Sequence, residues 1–192
     1  HSSGKMGYAL AEAARDAGAR VTIISGPVRL AAPEKVAVIQ VDSASDMLAA
    51  SLGIQNNCDI FIAAAAVADY RPVQVATQKI KKSGEHMQMS LVKNPDIVAT
   101  VAQLETAPFV VGFAAETQDV ADYARGKLNS KNLNMIIAND VSNTDIGFNS
   151  DNNAVTAFWG ENQQDFPRMS KSALSNDLIE LIAQQYADNK TT

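Results

Sequence analysis

Apolar positions along this chain follow two rhythms, and their alternation predicts the architecture. Met6, Leu10, Ala13, Ala14 and Ala17 fall at helical spacing, which reads as an amphipathic helix with Ser3 as its N-cap and Gly18 as its C-terminal stop. Val21-Thr22-Ile23-Ile24 is a short apolar strand ended by Ser25-Gly26-Pro27, and Val36-Ala37-Val38-Ile39-Gln40-Val41 is a second. Asp42, Ser43, Ala44 and Ser45 can cap a helix carrying Met47, Leu48 and Leu52; Asp59-Ile60-Phe61-Ile62-Ala63-Ala64 is a third strand. Alternation of this kind predicts parallel βαβ units, and strands that are nearly all apolar predict helices on both faces.

Residues 73–92 break the rhythm. Met87, Met89 and Leu91 alternate with Gln88, Ser90 and Val92, a period-two strand, and Ser83-Gly84-Glu85 is a turn signal. The segment reads as an antiparallel hairpin or flap leaving the main body. The α/β rhythm then resumes. Asn94-Pro95-Asp96 opens a helix through Ile97, Val98, Val101 and Leu104, with Pro95 near its first position. Phe109-Val110-Val111-Gly112-Phe113 is a strand; a helix over 119–132 puts Val120, Tyr123, Ala124, Lys127, Leu128 and Lys131 on one side; Met135-Ile136-Ile137-Ala138 is another strand, ending at Asn139-Asp140. Ser150-Asp151-Asn152-Asn153 reads as a hairpin turn before Val155-Thr156-Ala157-Phe158-Trp159, and Leu174, Leu178, Leu181, Ile182 and Tyr186 mark a last helix. The expected fold class is α/β: a Rossmann-like, mainly parallel sheet with helices on both faces, plus an antiparallel flap. It forms a single domain over 1–192. Such units begin with a strand, and this chain begins with a helix; a first strand and its loop are expected before His1.

Composition changes this picture little. The 192 residues are 46% hydrophobic and 19% charged, with net charge −5. An acidic balance argues against general nucleic-acid binding but leaves room for a local basic pocket. No apolar run reaches the roughly 18 residues that span a bilayer, and no signal peptide is visible, so no membrane partner is expected. The lone Cys58 allows no internal disulfide, fits a cytoplasmic protein, and reads as core.

Open parallel sheets bind ligands at the carboxyl ends of their strands, and three strands here end in conspicuous loops: 63–69, 112–116 and Asn139-Asp140. Alanines and Gly112 leave room for a flat ring close to backbone, or they merely fit beneath helices. Asp69 can bond a ribose or lie near a metal, or it forms a turn before Tyr70-Arg71-Pro72. Lys79, Lys81 and Lys82 can neutralise a polyphosphate, or they form a solvated arm. Lys127 and Lys131 share a helix face and can reach a ligand or complement their helix dipole. Ser3-Gly4-Lys5 at a helix start can bind an anion but lacks the Walker spacing. His1 and His86 have no Cys or His at metal-ligand spacing.

In order along the chain stand His-Ser-Ser-Gly-Lys-Met-Gly (1–7), Ala-Ala-Val-Ala-Asp-Tyr (65–70), Lys-Ile-Lys-Lys (79–82), Val-Lys-Asn-Pro-Asp-Ile (92–97), Gly-Phe-Ala-Ala-Glu-Thr (112–117), Ala-Asn-Asp-Val (138–141) and Gly-Phe-Asn-Ser-Asp-Asn-Asn (147–153). This set closely resembles the synthetase part of the bacterial bifunctional phosphopantothenoylcysteine synthetase/decarboxylases, and the resemblance covers nearly the whole chain. It implies a phosphopantothenate–cysteine ligase: CTP activates 4′-phosphopantothenate as an acyl-cytidylate with release of pyrophosphate, and L-cysteine then displaces CMP. It implies nucleotide contacts at Ala63, Ala64, Ala65, Asp69, Lys79, Pro95, Asp96, Ile97, Val98, Phe113, Lys127 and Lys131, with Lys79 catalytic and Mg2+ offsetting phosphate charge. Neither the resemblance nor the spacing assigns magnesium ligands. It implies a homodimer and a fused decarboxylase upstream, and the arm at 73–92 is the candidate to reach toward the second subunit. A catalytic Asn is expected just before His1, and no FMN is expected in this part. The rival readings are a Rossmann-type NAD(P)-dependent oxidoreductase, which gives the Lys-rich arm no purpose, and a non-catalytic nucleotide-binding domain.

Overall fold

The two hydrophobic rhythms meet on opposite faces of one sheet. The structure, a computed structural model, describes residues 3–81, 85–116, 118–140 and 150–191. In chain order the elements are α1 (Lys5–Asp16), β1 (Thr22–Ser25), β2 (Ala37–Gln40), α2 (Ala44–Gly53), β3 (Ile60–Ala63), β4 (Tyr70–Pro72), β5 (Leu91–Lys93), α3 (Ile97–Ala102), β6 (Phe109–Glu116), α4 (Val120–Ser130), β7 (Met135–Asp140), β8 (Asn152–Trp159), β9 (Asn162–Ser170) and α5 (Lys171–Thr191). The main sheet runs β3-β6-β7-β8-β9. Its first three strands are parallel, and β8 and β9 add on antiparallel. Parallel β1-β2 and antiparallel β4-β5 form separate two-stranded sheets.

Alternation along the central strands sorts the core. Val111, Met135 and Ile137 face one side, against Leu10 and Ala13 of α1 and Leu174, Leu178 and Ile182 of α5. Ile136 and Ala138 face the other, against Ala124 and Leu128 of α4, while Val110 meets Val101 and Ala102 of α3. Helices thus cover both faces, as the sequence predicts. Local signals explain several ends. Ser43 and Asp46 form a reciprocal capping box at α2. Beyond α1, Gly18 at φ 93 lets its N–H reach Arg15 O and the Ala19 N–H reach Ala14 O, a Schellman stop.

Several expectations need correction. Gly4, at φ 76, is the N-cap of α1, and Ser3 accepts a long 3.5 Å bond from the Lys5 N–H. Asp96 caps α3, so Pro95 precedes the helix rather than starting it. Residues 87–90 carry no regular strand; the ladder of the arm is only Tyr70–Pro72 with Leu91–Lys93, because side chains alternating over open water gain no buried face. Lys82, Ser83 and Gly84 lie outside the described residues, as do Thr117 and 141–149. Asn152 and Asn153 already belong to β8, which turns at Gly160 into an unpredicted β9. The polar run Asn162-Gln163-Gln164-Asp165 hid that edge strand, where Pro167 is tolerated. Tyr123 is exposed rather than on the buried side of α4, and Cys58 is half-buried rather than core. Finally, β1, β2 and β3 are only partly buried: each has one paired edge.

Leu178 on α5 is fully buried against the sheet. Leu178→Ala is expected to lower the unfolding free energy by about 2–5 kcal/mol through lost transfer energy and a residual cavity. Urea denaturation with an unchanged midpoint and slope would contradict this packing.

Candidate functional site

The site is built where β3 ends: Ala63 pairs with Gly112, midway along β6, which continues to Glu116, so 112–116 is strand rather than the expected loop. Beyond Ala63 the chain is small and turns tightly, with the Val67 N–H donating to Ala65 O at 3.1 Å. Ala64 and Ala63 are half-buried and Ala65 is exposed, so backbone groups are accessible there. Helix α1 approaches closely at this point: a Cβ on Gly7 would stand 3.8 Å from Ala64 Cβ. Gly112 does not leave room for a ring. A Cβ there would come within 2.8 Å of Leu133 Cδ1, so its missing side chain accommodates core packing. Phe113 is half-buried and packs on the α1/α5 side of the core.

Asn94 holds the loop in place. Its side-chain amide donates to Ala68 O at 2.8 Å, its backbone N–H donates to Asp69 O at 2.7 Å, and its side-chain oxygen accepts from Arg71 Nη1 at 3.0 Å. Arg71 also donates to Lys93 O at 3.1 Å. One residue therefore ties the end of the 63–69 loop to the base of the β4-β5 ribbon. The Asp69 side chain is exposed beside this clasp. The sequence reading left Asn94 and Arg71 out of the site. Asn-Pro reads locally as a turn, and their partners lie more than 20 residues away.

Two residues further on, the Asp96 carboxylate accepts from the Ala99 N–H at 3.1 Å and from Lys131 Nζ at 2.9 Å. Partial burial pushes this carboxyl up. The Lys131 ammonium, the Ala99 N–H and the charge of Lys93 outweigh that and hold it below the usual carboxylate range. Lys131 is the C-cap of α4, with Lys127 one turn before it. The Ile97 side chain is buried, and Val98, the next residue of α3, packs partly buried against the Val101, Ala102 and Val110 cluster. Pro95 is half-buried.

The structure thus links the 63–69 loop, through Asn94, to the segment carrying Pro95 and Asp96, and through Asp96 to the Lys131 ammonium, while Ala63 and Phe113 lie on the paired strands β3 and β6. Lys79 and Lys81 are exposed on the arm, outside its short ladder. At the start of α1, Lys5 pairs with Asp151 at 2.7 Å, so its charge is already partly matched. Among the described residues no group of three His, Cys, Asp or Glu side chains is placed to hold a metal ion, and magnesium is given no protein cage there. A separate cavity of about 270 Å³ lies at the opposite, amino ends of the strands, lined among others by Cys58, Asp59, Phe109, Asn134, Tyr186 and Lys190. Burial and the Asp59 charge push the Cys58 thiol up, against the hydrogen bond to Ile60 O, which disfavours the thiolate there. Exposed residues beyond Ala63, with the Lys131 ammonium held by Asp96, suit a flat, anionic ligand.

A family model described as the DNA/pantothenate metabolism flavoprotein C-terminal domain matches residues 1–186. The coenzyme A biosynthesis bifunctional protein CoaBC of Vibrio cholerae is 56% identical over 188 residues, covering 96% of this chain and 47% of its own length. The chain therefore spans about half the length of that curated relative. The crystal structure of the C-terminal domain of a CoaBC protein aligns with TM-score 0.82 at 37% identity, covering 97% of this chain and 85% of that one. A Cab2 variant solved in complex with phosphopantothenate-cysteine aligns with TM-score 0.76 at 14% identity, over 100% of this chain and 81% of that one, a likeness of fold.

Asn94→Ala removes two side-chain hydrogen bonds, each worth about 1 kcal/mol. Amide exchange at residues 68–72 and 91–93 is expected to accelerate about tenfold or more, with β6 and β7 unchanged. Equal exchange in the two proteins would show that the clasp does not hold the loop.

Proposed function

The chain belongs to the DNA/pantothenate metabolism flavoprotein C-terminal domain family, and on that premise we propose that it is the phosphopantothenate–cysteine ligase part of a coenzyme A biosynthesis protein. The observation that carries this reading is the Asn94 clasp, which ties the end of the 63–69 loop to the segment bearing Asp96, itself paired with Lys131; Asp69, Asn94 and Asp96 lie within motifs shared with the family. The likeness to Cab2 supports the fold alone; the activity rests on the motifs and the CoaBC relative.

A carboxylate is a poor acyl donor. Attack of the phosphopantothenate carboxylate on the α-phosphorus of CTP forms an acyl-cytidylate and expels pyrophosphate. The cysteine amine then attacks the acyl carbon, CMP leaves, and an amide remains. The protein's part is to bind, orient and neutralise. Backbone groups at Ala63, Ala64 and Ala65 read the edge of the cytosine, with Asp69 at its polar side. Lys127 and Lys131 face the triphosphate, alongside backbone at Pro95, Ile97 and Val98 and the ring of Phe113. Magnesium bound with the triphosphate would offset its charge. Lys79 is the catalytic cation, brought by the arm to the charge that develops on the phosphates.

The arm supports a homodimer. Val75 is 83% exposed, and Tyr70, Val73, Ile80, Met87, Met89 and Leu91 each expose more than half their surface. A cluster of this kind favours a protein contact, and the proposed occupant is a second copy. The open edges of β1 and β3, both touched by α1 through Tyr8–Ser25 and Gly7–Ala64, suit an additional strand from a preceding segment. A decarboxylase domain upstream and a cytoplasmic location complete the proposal. Among the described residues no helix is long and apolar enough to cross a membrane.

The full-length protein incubated with CTP, phosphopantothenate and cysteine is expected to release pyrophosphate and CMP; nucleotide binding with neither product would overturn the ligase reading. Lys79→Gln is expected to lose at least about 100-fold in turnover, as when one charge-stabilising group is removed, with an unchanged melting temperature. Full turnover would remove Lys79 from catalysis. Deletion of residues 75–89 is expected to yield monomer in analytical ultracentrifugation, and a persisting dimer would place the interface elsewhere.

A further inference from the structure

Asp96 stands in the middle of the proposed nucleotide site, yet its chemistry is wrong for touching a nucleotide phosphate. An ionised carboxylate only accepts hydrogen bonds and repels phosphate oxygens. Both of its oxygens are already engaged: one caps α3 through the Ala99 N–H at 3.1 Å, and the other holds Lys131 Nζ at 2.9 Å. We propose that Asp96 is a positioning residue, which fixes the Lys131 ammonium at the rim of the site and leaves the nucleotide to Lys131. This rests on the ligase reading and gives that site its internal scaffold.

The geometry explains why such a device is needed. Lys131 follows the last turn of α4, where a cation suits the helix dipole, and a free lysine stem samples many rotamers. The ends of α3 and α4 are also joined by the Asn132 side-chain amide, which donates to Ala102 O at 3.3 Å. This second tie fixes the backbone; among the described residues the ammonium is held by Asp96. The side chains of Lys131 and Asp96 are 30% and 40% exposed, a setting in which an ion pair adds little to stability. The pair is therefore better explained by placement of charge than by the strength of the fold. The segment from Asn94 to Asp96 then has two jobs: Asn94 clasps the base-reading loop, and Asp96 aims a phosphate-binding cation.

A double-mutant cycle tests this in the full-length protein, with CTP as the probe. Asparagine caps helices as well as aspartate does, so Asp96→Asn removes the charge and keeps the cap; Asp96→Ser is a second capping variant. The dissociation constant for CTP by calorimetry and the KM and kcat for CTP are measured for wild type, Asp96→Asn, Lys131→Gln and the double variant. Asp96→Asn is expected to keep its melting temperature and to raise Kd and KM by at least about twofold, the lower end of coupling between contacting residues, while kcat changes less. In the Lys131→Gln background the same substitution is expected to change neither. Additive effects would mean that Asp96 meets the nucleotide directly and would overturn the proposal, as would an Asp96→Asn protein with wild-type Kd. Absence of turnover in wild type with the coupling intact would remove the ligase reading and leave this inference standing.

Discussion

Everything at this site hangs from the sandwiching of β6 and β7 between two helical layers. Val110, Val111, Met135 and Ile137 are essentially inaccessible to water, and their side chains alternate between the two cores. A slip of one residue would exchange the faces of the whole strand, so the register of Ala63 with Gly112 and of Gly112 with Ile136 is strongly specified. That register decides where β3 and β6 end, and the ends decide where α3 and α4 can present a carboxylate and an ammonium to one another. Even Gly112, midway along β6, serves this packing, because Leu133 fills the space its side chain would take.

From this rigid end the structure becomes progressively less constrained. The 63–69 loop is held by a few hydrogen bonds from Asn94 rather than by burial. The ribbon beyond it has a three-residue ladder, and the arm carries its apolar side chains in water. This gradient suits the proposed chemistry. A base must be read by groups that do not move, whereas a cation that meets developing charge can arrive on an element that closes over bound substrate.

Much of the fold was legible because it is written in local periodicity. The strands at 109–113 and 135–138 and the last helix are long or strongly apolar, and Gly18 and Ser43 punctuate as their chemistry requires. The arm was legible as a departure from the rhythm, but not as a ladder, since Met87 and Met89 alternate without a face to bury. Strand β9 was missed because its inward residues Phe166 and Met169 are spaced by a bulge and embedded in polar positions. At the proposed site, the residue types and their order pointed to the end of β3, where the chain turns after Ala63. What they hid was the partnership of Asp96 with Lys131, 35 positions apart, and the role of Asn94: tertiary placement creates both contacts. Gly112 failed in the opposite direction, since a glycine near a strand end reads the same whether it makes room for a ligand or for a leucine.

The central claim is that the nucleotide site lies at the carboxyl end of β3, beside its partner β6. It is tested most directly by titrating isotope-labelled protein with CTP and following backbone amide resonances. Perturbations are predicted to cluster at residues 63–69, 94–98, 112–113 and 127–131. Perturbations centred instead on Cys58, Asp59, Asn134 and Lys190, around the cavity at the amino ends of the same strands, would contradict the account.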